Sequence, residues 1–408
     1  MNKKKIINDP VYGFITLQSE LIFEIISHRY FQRLRHIKQL GLTDYVYPGA
    51  LHTRFQHALG ALHLMGKALD ILRSKGVEIS DDEYEASQVA ILLHDVGHGP
   101  FSHALEDSLL HNISHESLSY LFIDKLNADF EGALDLTLRI FRNSYSRKFF
   151  HELVSSQLDI DRLDYLKRDS FFTGVLEGNV GVDRILAMLN VSGDNLVVEH
   201  KGIYSIEDFL NARRVMYWQV YLHKTTVSAE RMLVNLIRRA QVLMRAGEQL
   251  TASDALTAFL MKEISLNDLR ENPAILDLFG QLDDNDIWGA IKVWKNHSDN
   301  ILSLLSGMMI ERRLFRIRLS AEPIRKNQVE GIRDGVMKHF KLLRSEVPYL
   351  FSHGTVSNEA YAEGKEINIM MHNGDVIDIA QASDLPHIKA LSKIVKKNYL
   401  CWPKNVSL

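Results

Sequence analysis

Apolar residues recur with a helical period along most of the chain, from about residue 19 to residue 345. One stripe of positions that would share a helix face consists of Phe55, Ala58, Leu59, Leu62, Met65 and Leu69. A second stripe with the same kind of spacing consists of Val89, Leu92, Leu93 and Val96. Each stripe predicts an amphipathic helix that buries one face.

The same periodicity predicts further helices, and a change of pattern near the C-terminal end predicts strands. The other helical segments are 153–169, 207–227, 228–246 and 287–294. After about Pro348 the pattern changes, and Ile367–Met371 and Val376–Ala380 are short β-prone runs. The Asn373-Gly374 dipeptide between them is a strong signal for a hairpin turn. We therefore predict a mostly α protein, a helical core with a small α+β C-terminal lobe.

The composition is that of a globular protein. The chain has 408 residues, of which 46% are hydrophobic and 24% are charged, so it can bury a sizeable core. Its length fits two domains, or one large domain with an appendage. We predict a helical core over residues 1–245 and a C-terminal lobe over residues 246–408, which is helical at first and ends in the α+β segment.

Cysteine content and charge exclude several classes of protein. The single cysteine, Cys401, excludes a disulfide framework and a thiolate metal site. The N-terminal segment has no secretory signal, and no apolar run approaches the roughly 20 residues of a membrane-spanning helix. Net charge is −3, from 48 basic and 51 acidic residues, which favours small substrates over nucleic acid. We expect a soluble cytoplasmic protein without a membrane partner.

Histidines are concentrated in one part of the chain, where eight of the 18 lie between residues 52 and 115. Within this window, His94-Asp95 lies where an apolar helix meets a turn that contains Gly97 and Gly99. Neighbouring side chains point about 100° apart on a helix, so the pair can share one ion where the helix ends. Imidazole and carboxylate together suit Zn, Fe, Mn or a similar divalent ion better than Ca.

Two ligands are too few to hold a metal ion, so others must come from other helices. The candidates are His57, beside the first apolar stripe, and Asp161. One face of the helix predicted around residue 161 carries Asp161, Arg162, Tyr165 and Asp169. Such a row suits a metal ion with a bound phosphate. Each residue alone would be ordinary, since a lone histidine is more often structural. The order His57, His94-Asp95, Asp161 is what favours a joint site.

Six short motifs occur in the order found in one family of metal-dependent enzymes. They are Ile7–Pro10, Phe31–Arg35, Tyr45–Ala50, Arg54–His57, His94–His103 and Asp161–Tyr165. With these motifs the chain resembles the HD superfamily of metal-dependent phosphohydrolases, whose pattern is H…HD…D on a helical core. Within the superfamily it is most similar to the deoxynucleoside triphosphate (dNTP) triphosphohydrolases, which include a vertebrate enzyme with a sterile-alpha-motif. The resemblance covers about residues 5–245.

The resemblance implies hydrolysis of a dNTP to deoxynucleoside and inorganic triphosphate with one divalent metal ion, which could be Mn, Fe, Zn, Mg or Ni. The implied metal ligands are His57, His94, Asp95 and Asp161. The implied contacts to the triphosphate are Arg54, His98, His103, His115, Arg162 and Tyr165. The implied contacts to the rest of the nucleotide are Gln39, Leu40, Asp169 and Tyr221. In the family, a histidine corresponding to His103 or His115 transfers a proton and an acidic neighbour, here Glu106, orients it. These three residues and His98 form the implied catalytic group.

The chain departs from the vertebrate pattern at several positions. Arg162 stands in place of a lysine, which keeps the charge but changes its geometry. Tyr217 and Leu222 stand in place of a histidine and a glutamine of the nucleotide pocket, so contacts to base and phosphate would differ. Ser27 stands in place of an aspartate that reads an activating guanine nucleotide, which argues against activation by GTP.

The resemblance also implies a regulatory nucleotide site. Its matching residues are Lys5, Asn8, Gln32 and Arg35. Such a site would take an activating nucleotide of altered specificity. In relatives it lies between subunits, so we expect a homo-oligomer, a dimer or a tetramer, by analogy.

Two other hypotheses keep part of this interpretation. The same metal site could serve another nucleotide or phosphate ester, because the HD scaffold supports many substrates. Alternatively, the chain could be a nucleotide-sensing or nucleic-acid-binding protein with a vestigial metal site. Release of triphosphate would distinguish dNTP hydrolysis from the first of these hypotheses. The presence of all four metal ligands argues against the second.

Overall fold

Helices dominate the structure, a computed structural model that describes residues 5–17, 19–358, 366–386, 388 and 395–406, apart from the side chains of His103 and Asp107. The helices of the first half are α1 (Glu20–Ser27), α2 (Arg29–Gln32), α3 (Arg54–Ser74), α4 (Asp81–Leu93), α5 (His103–Leu109), α6 (His115–Asp129), α7 (Asp135–Phe141), α8 (Phe149–Val154), α9 (Ile160–Thr173), α10 (Val182–Met188), α11 (Ile203–Met216) and α12 (Lys224–Arg245). Those of the second half are α13 (Asp254–Met261), α14 (Leu266–Glu271), α15 (Pro273–Phe279), α16 (Asp284–Trp294), α17 (Asn300–Ile310), α18 (Lys326–Phe340), α19 (Val347–Leu350) and α20 (Ile379–Ala382). Short 3₁₀ helices are Arg33–His36, Gly41–Tyr45, Leu176–Gly178 and His200–Gly202.

The helices predicted from the two apolar stripes are present as α3 and α4, and both begin at capping motifs. Gln56 Oε1 accepts a hydrogen bond from the backbone N–H of Thr53 (2.9 Å), and Glu83 Oε2 accepts one from the N–H of Ser80 (2.8 Å). Helix α4 ends at Leu93, and the next residue caps it. The expectation that the His-Asp pair lies at a helix end is confirmed.

The segment 153–169 forms two helices, where the periodicity predicted one. The side chain of Asp159 causes the break, because it accepts hydrogen bonds from the backbone N–H groups of Ser156 (2.9 Å) and Arg162 (2.8 Å). An aspartate in this position starts a new helix by satisfying donors of the first turn. Helix α9 therefore begins at Ile160 and carries Asp161 in its first turn.

The predicted helix 207–227 is also interrupted. A π-helical turn, Tyr217–Tyr221, follows α11, and α12 starts afresh at Lys224. The ring of His223 caps this new start, since its Nδ1 accepts from the N–H of Thr225 (3.2 Å). Such π turns occur mostly as local irregularities near functional sites.

In the described part of the chain, the strands form three small sheets. The strands are β1 (Lys5–Asp9), β2 (Gly13–Leu17), β3 (Leu189–Ser192), β4 (Asn195–Glu199), β5 (Arg316–Ser320), β6 (Ser352–Asn358), β7 (Asn368–Met370), β8 (Val376–Asp378) and β9 (Val395–Trp402). Strands β1 and β2 form a hairpin, β5-β9-β6 an antiparallel sheet, and β3-β4-β7-β8 a mixed sheet. The predicted C-terminal hairpin is confirmed, because β7 pairs antiparallel with β8 and Gly374 has φ +88°. Strand β7 also pairs in parallel with β4, with Val198 opposite Ile369.

Among the residues that the structure describes, the buried apolar side chains form two clusters, and α3 and α4 contribute to both. The larger cluster joins α12, which ends at Arg245, to Phe279 and Leu302 from beyond residue 246. The division predicted near that residue stays a prediction. Within the described ranges, no helix combines the length and the apolar character that crossing a membrane requires.

Candidate active site

Four side chains predicted as metal ligands converge from three helices. His57 lies on α3, His94 and Asp95 follow the last residue of α4, and Asp161 lies on α9. The Nε2 atoms of His57 and His94 are 3.3 Å apart, and Asp161 Oδ1 lies 3.1 Å from the first and 3.3 Å from the second. Asp95 Oδ1 lies 3.4 Å from His94 Nε2. We call these four residues the HD cluster.

The hydrogen bonds of the two imidazoles leave their Nε2 atoms facing each other as acceptors. His57 Nδ1 lies 2.7 Å from Asp164 Oδ2, and His94 Nδ1 lies 2.6 Å from the carbonyl oxygen of Ile91. Because both partners accept, each neutral ring carries its proton on Nδ1 and a lone pair on Nε2. Two lone pairs and the carboxylate of Asp161 repel one another at this distance unless a cation lies between them. The donor set therefore fits a metal ion.

The spacing of the ligand atoms supports the same conclusion. Nitrogen and oxygen ligands lie about 2.0–2.2 Å from an ion such as Zn, so neighbouring ligand atoms are roughly 2.8–3.6 Å apart in tetrahedral or octahedral coordination. The three closest atoms of the HD cluster are separated by 3.1 to 3.3 Å. Imidazole and carboxylate ligands without a thiolate suit a divalent ion of the Mn to Zn series.

The charges around the cluster favour a cation as well. Burial disfavours the charged form of His57, but hydrogen bonds to Asp161 and Asp164 outweigh this effect and raise the pKa of His57 to about 10. Burial alone would also raise the pKa of Asp95, whereas neighbouring positive charges, above all His94, hold it well below its usual range. Without a metal ion, a proton therefore resides in the cluster.

We expect the affinity for a metal ion to increase with pH. His57, with a pKa of about 10, must lose its proton to become a ligand. Below this pKa the proton competes with the ion, so each unit of pH should raise the affinity about tenfold. Competition with a chromophoric chelator for Zn or Mn, between about pH 6.5 and 8.5, measures this dependence. An affinity that stays constant over the range would contradict the expectation.

Two glycines let the surrounding elements approach the cluster. A Cβ atom at Gly60 of α3 would lie 2.0 Å from Asp164 Oδ1, a distance too short for two non-bonded atoms. A Cβ atom at Gly97 would lie 2.3 Å from the carbonyl oxygen of His115. Glycine at these positions allows α9 to pack closely against α3, and the start of α6 to pack against the His-Asp turn.

Side chains predicted to be catalytic lie beside the HD cluster. The rings of His98 and His115 are stacked, with centroids 3.9 Å apart, and His98 Nε2 lies 3.3 Å from Asp95 Oδ1. Glu106 Oε1 accepts a hydrogen bond from the backbone N–H of His115 (2.7 Å) and lies 3.0 Å from its Nδ1. His103 begins α5, and its side chain lies outside the described part of the structure.

The two stacked imidazoles differ in their proton affinity. Burial and the charge of Arg54 hold the pKa of His98 well below its ordinary value. Burial also opposes the charged form of His115, but the hydrogen bond to Glu106 outweighs it and raises the pKa of His115. The pair therefore offers one neutral ring and one ring that can hold a proton near neutral pH, which suits general acid chemistry.

The HD cluster and these histidines meet at one cavity of about 650 Å³, a size typical of small-molecule sites. The predicted residues on its wall are Gln39, Leu40, Arg54, His94, Asp95, His98, His115, Asp161, Arg162, Tyr165, Asp169 and Tyr221. His57 is fully buried, and Glu106 contacts the cavity wall through His115. The structure thus places every predicted substrate contact whose side chain it describes at one cavity, and their roles stay predictions.

Residues beyond position 246 hold two loops of this cavity. Phe101 and Ser102 have φ +54° and +51°, a left-handed conformation that residues with a Cβ rarely adopt. Asp284 of α16 accepts hydrogen bonds from the backbone N–H of Phe101 (2.8 Å) and from that of Lys38 (3.0 Å), which precedes Gln39. Burial raises the pKa of Asp284 to about 6. The C-terminal lobe therefore takes part in shaping the cavity.

Sequence reasoning did not assign several residues of the site. They are His52, Asp164, Glu230 and Asp284. Asp164 orients a ligand histidine, and its signal was the one-turn spacing from Asp161 on the same helix. His52 Nε2 lies 2.7 Å from Asp169 Oδ1, and Glu230 lines the cavity with a pKa raised by burial to about 7. No local pattern marks these last two positions.

The predicted regulatory residues lie on the N-terminal elements. Lys5 and Asn8 are on β1, and the ammonium of Lys5 lies over the ring of Phe23. Arg35 Nε donates a hydrogen bond to Gln32 Oε1 (2.9 Å). The structure brings Gln32 and Arg35 together, and a nucleotide site at these residues stays a prediction.

The sequence and the fold of the chain are similar to those of HD-domain proteins. Residues 54–169 match the HD domain, and residues 180–266 match the HD associated region. A phosphohydrolase of Bacteroides thetaiotaomicron with a solved structure is 50% identical, with a TM-score of 0.95 over 98% of this chain and 100% of that chain. The uncharacterized protein YwfO of Bacillus subtilis is 30% identical over 100% of this chain and 94% of its own length. The deoxynucleoside triphosphate triphosphohydrolase SAMHD1 homolog of Dictyostelium discoideum is 31% identical over 60% of this chain, which spans 51% of that protein.

The fold is mostly α, and a cluster of histidines and aspartates lies beside a polar cavity. These features define the class of protein, which is a helical hydrolase with a candidate divalent-metal centre. The chain belongs to the HD-domain phosphohydrolase family, and it also carries the HD associated region. The family resemblance and the fold class expected from the sequence are therefore confirmed.

Proposed function

We propose that the chain hydrolyses dNTPs to deoxynucleoside and inorganic triphosphate, using one divalent metal ion held by His57, His94, Asp95 and Asp161. The observation that carries the proposal is the convergence of two Nε2 lone pairs and a carboxylate at a cavity that is also lined by guanidinium, imidazole and phenol groups. The described activity of the SAMHD1-type relatives supports the choice of substrate.

The cationic part of the cavity suits a polyphosphate. Arg54 lies on the wall and binds Asp95, and its Nε donates a hydrogen bond to Ser102 Oγ (2.9 Å). Arg162, also on the wall, forms an ion pair with Asp159. These contacts fix both guanidinium groups on the cavity wall, where they would stabilise the negative charge of the phosphate oxygens in the transition state.

Proton transfer is assigned to His115 in this proposal, with His103 as the other candidate. Glu106 orients the ring of His115 and favours its protonated form, so this ring can donate a proton to the leaving deoxynucleoside oxygen. A bound metal ion would supply polarisation of the phosphate and a lowered pKa for the attacking water.

We expect the deoxyribose to lie beside Asp169. Asp169 lines the cavity, and both carboxylate oxygens are fixed: Tyr221 donates its hydroxyl proton to Oδ2 (2.8 Å), and His52 Nε2 lies 2.7 Å from Oδ1. Gln39 and Leu40 line the same cavity. A carboxylate held in this way is suited to accept a hydrogen bond from the sugar 3′-hydroxyl.

The identity of the phosphate product tests the proposal. Purified protein is incubated with each dNTP, alone and in mixtures, in the presence of Mn, Mg, Fe or Zn, and the products are separated by ion-exchange chromatography. We expect deoxynucleoside and triphosphate in equal amounts. Pyrophosphate or orthophosphate in place of triphosphate would overturn the proposed reaction and leave the family assignment intact. The same proposal includes an activating nucleotide, bound at Lys5, Asn8, Gln32 and Arg35, and a homo-oligomer around this site. Mixtures are included because one nucleotide could activate the hydrolysis of another.

A second candidate is hydrolysis of another nucleotide or phosphate ester. The observation in its favour is Glu230, a carboxyl group on the cavity wall. Burial raises its pKa to about 7. The ionised form of Glu230 would repel a triphosphate more than a substrate with fewer negative charges. Nucleoside monophosphates and cyclic nucleotides in the same assay distinguish the two candidates by the rate at which each is cleaved.

A further inference from the structure

A second cavity, of about 340 Å³, is lined by residues of α12, α18, α19, β6 and β9. Its lining residues and those of the catalytic cavity do not overlap. Four arginines line it, namely Arg231, Arg238, Arg333 and Arg344, and its lining among the described residues includes no aspartate or glutamate. We call it the arginine cavity.

The four guanidinium groups come from separate parts of the chain and form no ion pair with a described carboxylate. Arg231 and Arg238 are two turns apart on one face of α12, whereas Arg333 lies on α18 and Arg344 follows that helix. In the part of the chain that the structure describes, no salt bridge joins any of the four to a carboxylate. Like charges gathered in this way repel one another, so an anion between them would lower the free energy.

One of these arginines has a buried donor without an acceptor. Arg231 Nε is buried and makes no hydrogen bond in the structure. Its guanidinium carbon lies over the buried ring of Tyr399, 5.5 Å from the ring centroid. An unsatisfied buried donor costs about 1–3 kcal/mol, and an anion in the cavity beside the same guanidinium group would offset part of this cost.

The remaining wall combines a hydroxyl donor with an apolar surface. Ser352 Oγ accepts a hydrogen bond from Asn235 Nδ2 (3.0 Å), which leaves its own proton to donate to a ligand. Val347, Pro348 and Phe351 line the cavity beside it. A phosphate chain with an attached nucleoside would meet both kinds of surface.

We propose that the arginine cavity binds a small anion with at least two phosphate groups, either free pyrophosphate or triphosphate or the phosphate chain of a nucleotide. A guanidinium group binds phosphate oxygens through two parallel hydrogen bonds, and the positive charge of four such groups exceeds the roughly −2 charge of one phosphate group. The volume of about 340 Å³ is that of a small-molecule site. Glu230 of the catalytic cavity and Arg231 are consecutive on α12, so one helix takes part in both cavities.

Isothermal titration calorimetry with pyrophosphate and with triphosphate tests the proposal. Full-length protein is titrated with excess EDTA, so that a metal ion at the HD cluster does not contribute. We expect the double variant Arg231→Gln/Arg333→Gln to bind about 10²-fold more weakly than the unchanged protein, since it loses two charged donors. The matched control is Arg325→Gln, an exposed residue before α18 that does not line the cavity and should leave the affinity unchanged.

A second pair of variants separates the two cavities. Arg162→Gln changes the catalytic cavity alone, so it should keep the affinity that Arg231→Gln/Arg333→Gln loses. The opposite result, with affinity lost in Arg162→Gln and kept in the double variant, would overturn the proposal. Circular dichroism establishes that each variant is folded. If the double variant does not fold, Arg238→Gln/Arg344→Gln replaces it, because both of these side chains are exposed.

Comparison of ligands identifies the source of the phosphate groups. A dNTP that binds more tightly than inorganic triphosphate would assign the apolar wall to a nucleoside, and equal affinity would assign the site to the phosphate chain alone. Either result supports the proposal. Orthophosphate that binds as tightly as pyrophosphate would overturn it.

Discussion

His94→Ala is expected to lose its metal ion and to slow hydrolysis by about 10³-fold or more, with its helical content unchanged. His94 provides one of the two Nε2 atoms that lie 3.3 Å apart, and without it the cluster keeps His57, Asp95 and Asp161. Its ring faces the catalytic cavity, and α4 already ends at the preceding residue, so the fold should persist. Metal content after dialysis, circular dichroism and dNTP hydrolysis measure the three expectations.

His63→Ala is the matched control for this loss of a histidine. His63 lies on α3, half-buried, with its ring 5.3 Å from that of Tyr12, and it does not line the cavity. The control should keep both its metal ion and its activity. A metal-free His94→Ala protein with full hydrolytic activity would contradict the proposed role of the HD cluster.

Asp164→Ala is expected to lower the free energy of unfolding by about 3–5 kcal/mol, the usual cost of removing one partner of a buried ion pair. Asp164 is fully buried and accepts hydrogen bonds from His57 Nδ1 (2.7 Å) and from Arg168 Nε (2.9 Å) and Nη2 (3.1 Å). Arg168 is also fully buried, and after the change its ion pair with Asp9 (2.8 Å) remains. Since Asp164 also orients His57, metal affinity should fall by about 10–100-fold.

The pH dependence of this contribution follows from the pKa of Asp164. Burial would raise this pKa, but Arg168 and His57 outweigh burial and lower it. A carboxyl group whose pKa is lowered by folding contributes stability above its unfolded pKa, about 3.9, and loses it as pH falls through the folded value. At neutral pH the full effect of the substitution should therefore be visible.

Denaturant unfolding of the metal-free protein measures this loss. Asp164→Asn keeps one oxygen acceptor and should be less destabilised than Asp164→Ala. Asp183→Ala is the control at an exposed pair, because Asp183 contacts Lys67 on the surface with 71% of its side chain exposed, and its loss should cost less than about 1 kcal/mol. An Asp164→Ala protein that unfolds at the same denaturant concentration as the unchanged chain would contradict the argument.

Local signals in the sequence were sufficient for the features that depend on neighbouring residues. Apolar spacing predicted α3 and α4, the glycines after His94-Asp95 predicted the end of a helix, and Asn373-Gly374 predicted the hairpin of β7 and β8. Each of these features depends on contacts within a few turns or across one tight turn, where periodicity and turn chemistry act directly.

Features that depend on one capping side chain or on distant pairing were predicted incompletely. The carboxylate of Asp159 splits the predicted helix 153–169 by accepting two backbone hydrogen bonds that the apolar pattern does not reveal. Strand β4 has its parallel partner in β7, so Val198 lies beside Ile369. Strand pairing over such a separation leaves little trace in either segment alone.

The sequence by itself determined the residue types of the site, their order and the family pattern to which they belong. Only the tertiary structure decided that the Nε2 atoms of His57 and His94 face the same point, that Asp164 fixes one of these rings, and that Asp284 holds two loops of the cavity. It also decided that four arginines from three segments line one second cavity. The physical reason is that hydrogen bonds, burial and pKa values depend on groups brought together from distant parts of the chain, whereas propensity and periodicity act between near neighbours.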